Sequence, residues 1–112
     1  ITSHNFDEPT AVKIISGSQT VVAIHACTGN ERFVYLGGLD KVLQAVIAKE
    51  LESRGIIVPK GHEKFSGLNP ENICNRGANK KGVQLEITRG LRDDLNKRQL
   101  ISEAVRAALI SF

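Results

Sequence analysis

A chain of 112 residues with 41% hydrophobic content has room for one domain with a real core, and because aromatics are scarce and methionine is absent, that core must come from Val, Ile, Leu and Ala. No run of about 18 apolar residues occurs, which excludes a helical membrane span. The net charge of +3 is mild for a nucleic-acid binder, and Cys27 and Cys74 are too few for a disulfide scaffold.

The first residue is Ile rather than Met, which points to an excised piece of something longer, and no signal-peptide layout opens the chain. Residues 1–3 read as the tail of an incoming strand. Asp7 is the expected N-cap, with Pro9 tolerated in the first turn, of a short helix over 11–15 that stops at Gly17. His4 stands three residues before Asp7 and four before Glu8, a spacing that superficially suggests metal ligands; a surface histidine is the better reading. Residues 20–26 read as a buried strand with both faces apolar, Val21 and Ala23 on one side and Val22, Ile24 and Ala26 on the other. His25 lies at its end. Ligands gather outside the carboxyl ends of strands in open α/β sheets, so this histidine is either a satisfied core residue or one that faces a ligand.

After the loop Thr28-Gly29-Asn30, a short strand over 32–36 is closed by Gly37-Gly38. A helix follows from Leu39 or Asp40 to Arg54, with Leu39, Val42, Leu43, Val46, Ile47 and Leu51 on one stripe and Gly55 just past its end. Residues 56–58 make another strand, ended by Pro59. The helix is scaffold.

Residues 60–81 form a polar loop of roughly twenty residues, a length often associated with function. Between Pro59 and Gly82, Lys60, Lys64, Arg76, Lys80 and Lys81 face only Glu63 and Glu71, so this segment carries the whole chain's positive excess. That suits an anionic substrate, and a solvated surface loop explains it equally well. His62 has no companion at metal-ligand spacing and reads as a surface residue. In residues 83–88, Val83, Leu85 and Ile87 alternate with Gln84, Glu86 and Thr88, the period of a strand. Glu86 then points away from the apolar side, bracketed in sequence by Arg76, Arg89 and Arg92. An ordinary half-exposed strand gives the same pattern. A turn over 91–96 and a final helix over 98–112 complete the chain, the helix burying Leu100, Ile101, Ala104, Val105, Ala108, Leu109 and Phe112.

Asn72-Ile73-Cys74-Asn75-Arg76, followed by Gly82-Val83-Gln84-Leu85-Glu86-Ile87-Thr88-Arg89-Gly90-Leu91-Arg92, resembles the C-terminal signature of the phage-type poly-γ-glutamate hydrolases. Phe6-Asp7-Glu8-Pro9 resembles the same family, whose proteins extend further toward the N-terminus. The resemblance implies an α/β fold with a layered mixed, mainly parallel sheet and flanking helices, part of a zinc carboxypeptidase-like architecture. Residues 1–112 would then be one domain, the C-terminal portion of a longer hydrolase domain. In that chemistry Zn2+ polarises the scissile carbonyl and lowers the pKa of its water, while a carboxylate outside the metal shell takes and returns the proton. Carried over, His25 would be a zinc ligand and Glu86 the general base. Arg76 with Asn75 would face the carboxylates of an anionic polymer, poly-γ-glutamate, and Arg89 and Arg92 are weaker candidates for that task.

One departure stands out. A catalytic zinc usually has three protein ligands, and the family's upstream His and Glu have no counterpart here. Either those ligands belong to the native protein outside this chain, or the chain is an inactive truncated relative. The first is favoured, because the second would not need to keep both His25 and Glu86 at strand ends. A non-catalytic polyanion-binding module stays open, using the basic loop but neither His25 nor Glu86. Nucleic acid is not expected as a partner: Phe6, Phe33, Tyr35, Phe65 and Phe112 are scattered and no recognised signature occurs. Cys27 and Cys74 are buried thiols or, if the fold brings them together, a pair.

Overall fold

In the computed structural model, which describes residues 3–62 and 64–112, three strands form one sheet: β1 (Val22–Cys27), β2 (Val34–Gly37) and β3 (Val83–Thr88). Their order is β1-β3-β2, so the strand latest in sequence is the central one. It runs parallel to β1 and antiparallel to β2. The sheet is mixed, with one pairing of each kind, rather than mainly parallel. The strand tail expected at residues 1–3 falls partly on Ile1 and Thr2, outside the described residues, and Ser3 already opens a 3-10 turn, Ser3–Asn5.

β3 explains the core. Val83, Leu85 and Ile87 are buried on one side and meet Leu36 and Val34 of β2 in register. Helix α2 (Lys41–Ser53) covers that side with Leu43, Ile47 and Leu51, all fully buried, each worth on the order of 2 kcal/mol of apolar burial. The long C-terminal helix α4 (Leu95–Ser111) packs Ile101, Ala104 and Ala108 against the same core. Val42, expected on the buried stripe of α2, is instead 65% exposed, because the stripe runs through Leu43, Ile47 and Ala48. Leu109 and Phe112 are exposed as well.

Capping residues set the helix boundaries. Helix α1 (Pro9–Ser16) starts after Glu8, not Asp7: the Glu8 carboxylate accepts the Ala11 N–H at 2.6 Å. Asp40 accepts the Leu43 N–H at 3.0 Å and opens α2. Asp94 accepts the Lys97 N–H and binds Arg32 at 2.7 Å, which explains why α4 begins earlier than residue 98. A four-residue helix, α3 (Arg89–Arg92), connects β3 to it. The strand expected at 56–58 reduces to one bridge, Phe33 with Ile57, since Ile57 points to solvent.

β1 is not the two-sided buried strand its sequence suggests. It is an edge among the described residues, with Ile24 57% exposed and Ala26 exposed. Beside it an apolar groove of about 660 Å³ runs between Ile24, Ile87 and the Ile101, Val105 and Leu109 side of α4. Helix α4 packs on α2 and does not reach over β1.

The loop between α2 and β3 is held against the sheet by close backbone approach. A Cβ at Gly82 would overlap the Cys74 carbonyl oxygen and stand 2.8 Å from that of Val21. Gly82 also accepts the Asp40 N–H at 3.0 Å, tying the strand entry to the start of α2. Gly82→Ala is therefore expected to cost roughly 2 kcal/mol or more in urea unfolding. An unchanged midpoint would show that the loop does not sit where this packing puts it.

Candidate active site

The polar side of β3 carries three side chains in alternation, and two of them are fully occupied. Gln84, buried, accepts from Asn72 Nδ2 at 3.0 Å and donates to the Phe65 carbonyl at 3.0 Å. Thr88, also buried, donates its hydroxyl to the Glu31 carbonyl and accepts the Phe33 N–H at 3.1 Å. Glu86 lies between them, half-buried, and no described residue donates a hydrogen bond to it. Burial pushes its carboxyl above the ordinary glutamate value.

Register brings its neighbours. His25 on β1 is the direct partner of Glu86, and Tyr35 on β2 is its partner on the other side. Paired residues share a face, so His25, Glu86 and Tyr35 form one row across the sheet, about 10 Å from first to last. His25 and Glu86 sit toward the carboxyl ends of parallel strands. His25 is half-buried, with Nε2 3.4 Å from Ser3 Oγ, and burial lowers its pKa, which favours the neutral imidazole. The two shifts have opposite signs for stability. Glu86 contributes stability below its unfolded value that is lost as pH rises through its raised folded one. For His25 the contribution is present above the unfolded value and is lost as pH falls through the lowered one.

The expected ligand-facing residues divide. Asn75 is buried, its Oδ1 accepting the Leu39 and Gly82 N–H groups and its Nδ2 donating to Gly67 and Asn69 carbonyls. It shapes the loop and has no donor left for a substrate, which corrects the role expected for it. Arg92 is likewise structural. Its Nη1 donates to the carbonyls of Cys27 and Ile87, joining the ends of β1 and β3. Arg89 is largely exposed, its Nε a loose 3.9 Å from Asp93. Arg76 is half-buried: Nη2 donates to the Phe6 and Ser3 carbonyls, and Nε is buried without a partner among the described residues. It holds the N-terminal turn beside His25, through the same Ser3 whose hydroxyl approaches the ring.

Two residues to which the sequence assigned no role in the site, Tyr35 among the scattered aromatics and His62 as a surface residue, join it. Tyr35 could have been found from the alternation of Phe33 and Tyr35 with Val34 and Leu36. His62 could not, because a loop delivers it: its ring packs edge-on to Tyr35, centroids 5.0 Å apart. Phe65 stands 5.5 Å from Tyr35 and Phe33 6.0 Å, so three of the five aromatics cluster instead of scattering. The loop can come this close because Gly37 has no side chain to meet the Phe65 carbonyl. Cys27 and Cys74 are both free thiols, the latter buried and pushed up to about 11.

Zinc can be tested against this donor set. Among the described residues no group of three or more His, Cys, Asp or Glu side chains converges to hold a metal. His25, neutral and at a strand end, suits one ligand position, but a single imidazole does not make a catalytic zinc site.

Comparison with known proteins gives a consistent picture. The family described as poly-gamma-glutamate hydrolase matches residues 1–109. The UPF0714 protein YmaC of Bacillus subtilis (strain 168) is 42% identical over 95 residues, covering 83% of this chain and 40% of YmaC. YndL of the same organism is 30% identical over 98 residues, 85% of this chain and 38% of YndL. The chain thus spans about two fifths of the length of these relatives. Among solved structures, a bacteriophage poly-gamma-glutamate hydrolase superposes with a TM-score of 0.93 at 31% identity, over 99% of this chain and 61% of that one. A zinc-free apo form of YndL superposes at 0.85 with 23% identity, over 97% and 62%, and shows the shared fold.

The assignments of the two C-terminal arginines differ enough to measure. Arg92→Met leaves two strand-end carbonyls without their cationic donor and is expected to lose about 2 kcal/mol in chemical denaturation. Arg89→Met should stay within about 0.5 kcal/mol. Equal effects would contradict a structural Arg92 and a solvent-exposed Arg89.

Proposed function

The chain belongs to the poly-gamma-glutamate hydrolase family, and we propose on that basis that it forms the C-terminal part of a zinc-dependent hydrolase of γ-glutamyl amide bonds. The observation that carries this reading is the pairing of His25 with a Glu86 that no described residue holds. A carboxylate with structural work to do would resemble its neighbours Gln84 and Thr88, whose polar groups are all engaged. Glu86 is instead partly desolvated, raised in pKa and open to whatever enters beside His25, as a general base needs.

In this reading His25 supplies one ligand, and the remaining ligands come from outside this chain. The longer relatives and the open edge of β1, with its apolar groove, support that arrangement. Zinc, when bound, supplies Lewis-acid polarisation of the amide carbonyl. Glu86 takes a proton from the attacking water and returns it to the leaving amine. Arg76, with Nη1 free of described acceptors, and exposed Arg89 remain for the carboxylates of poly-γ-glutamate. Arg76 also keeps Ser3 against the His25 ring, so its second task is positional.

Two outcomes test this. Glu86→Gln in the zinc-supplied, full-length enzyme should lower kcat on poly-γ-glutamate by about 100-fold or more while leaving polymer binding intact. The same variant should be more stable at neutral pH by up to about 1 kcal/mol, having lost a desolvated charge without a partner. Undiminished kcat would remove Glu86 from the chemistry, whereas polymer binding without any hydrolysis by the zinc-supplied wild-type protein would favour a non-catalytic polyanion-binding module. The 112-residue chain alone should retain little zinc after dialysis, whereas an N-terminally extended form should hold one equivalent. Tight stoichiometric zinc in the short chain would contradict the shared-ligand arrangement.

A further inference from the structure

The row His25–Glu86–Tyr35 crosses the sheet perpendicular to its strands, and it continues past β2. Tyr35 meets the edge of the His62 ring, and His62 in turn lines a groove of about 410 Å³ between α2 and residues 58–62, Ser66 and Leu68. This groove is separate from the apolar one beside β1. Its floor includes Leu36, Val58 and Leu68, and its cationic residues are Lys41 and Lys60. Among the described residues no carboxylate lines it.

The polar groups there are available. Lys41 makes no ion pair with a described residue. Lys60 reaches Glu52 at 3.3 Å, but both side chains are largely exposed, and such a pair exchanges readily for another anion. The His62 Nδ1 stands 2.6 Å from the Lys64 carbonyl. A carbonyl only accepts, so Nδ1 carries the hydrogen and Nε2 of the neutral ring is an acceptor, which leaves the two lysines as the groove's cationic donors to an anion.

We propose that this groove is a distal subsite for a polycarboxylate chain, with Lys41 and Lys60 binding carboxylates several residues away from the bond placed at His25 and Glu86. The inference rests on the hydrolase reading and deepens it. A γ-linked glutamate chain alternates methylene stretches with free α-carboxylates, and a groove with an apolar floor and cations along its walls complements both. Tyr35 and His62 form the ridge over which the chain passes from row to groove. Binding through several cations at once explains how a site with weak single contacts favours a long chain over a short one.

The test is affinity, measured by fluorescence anisotropy with a labelled long poly-γ-glutamate and with a labelled γ-glutamyl dipeptide. Lys41→Ala combined with Lys60→Ala, both on the surface, should weaken the long chain by roughly fivefold or more at low salt. That change should leave dipeptide binding unaltered. A control with the same change of charge, Lys13→Ala combined with Arg98→Ala, should have little effect. Equal weakening by the groove and control pairs, or no measurable polymer complex, overturns the subsite. A heparin fragment or DNA duplex that binds the groove more tightly than poly-γ-glutamate overturns its occupant. Cleavage of the dipeptide by the zinc-supplied, full-length enzyme judges the catalytic reading separately, because the dipeptide spans the row and not the groove.

Discussion

Everything on the site side of this molecule depends on the register of β3 between its two neighbours. Each pairing fixes which residue of β1 or β2 lies beside Glu86, and a strand slipped by one residue would turn Glu86 into the helix-covered core and Leu85 out of it. Such a slip would bury a carboxylate among Leu43, Ile47 and Leu51 and expose three aliphatic side chains, so hydrophobic burial enforces the register that puts His25 and Tyr35 beside Glu86. The same pairing is reinforced at its ends. Gly82 brings the strand entry against the Cys74 backbone, and Arg92 joins the carbonyls of Cys27 and Ile87 at the exit.

That frame gives Glu86 its character through contrast with its neighbours. Gln84 and Thr88 occupy the same face and are locked by hydrogen bonds to loop backbone and Asn72, while no described residue donates to the oxygens of Glu86. Leaving a carboxylate partly desolvated and unpaired is unfavourable for folding, on the order of 1 kcal/mol for a half-buried group. Stability given up at a single position, inside a strand otherwise saturated with bonds, is the pattern expected of a working site. His25, held neutral by burial, completes a pair in which the acid is reluctant to ionise and the base reluctant to protonate.

Much of this was legible from residue order, because alternation in β3 and apolar spacing in α2 and α4 report burial directly. Placing Glu86 opposite Val83, Leu85 and Ile87 needs only period two. What could not be read was anything set by contacts distant in sequence. The central position of β3 arises from pairing across more than forty intervening residues. His62 reaches Tyr35 through a loop whose path depends on Gly37 accepting the Phe65 backbone. The arginines show the same limit: composition marks Arg76, Arg89 and Arg92 alike, while the fold uses Arg92 on strand ends, divides Arg76 and leaves Arg89 in solvent. β1 misled in the opposite direction, since an apolar sequence states a preference for cover that nothing among the described residues supplies.

The central claim is that Glu86 is an unheld, partly desolvated carboxylate facing His25. Its side-chain carboxyl carbon, followed by NMR through an acid titration with His25→Ala as a companion, reports this directly. The account predicts a midpoint above the ordinary glutamate range in the wild-type chain, and a midpoint that moves when the imidazole beside it is removed. A midpoint at or below the ordinary range, unaffected by His25→Ala, would mean that Glu86 is solvated or held by a donor elsewhere, and the pair would not be a site.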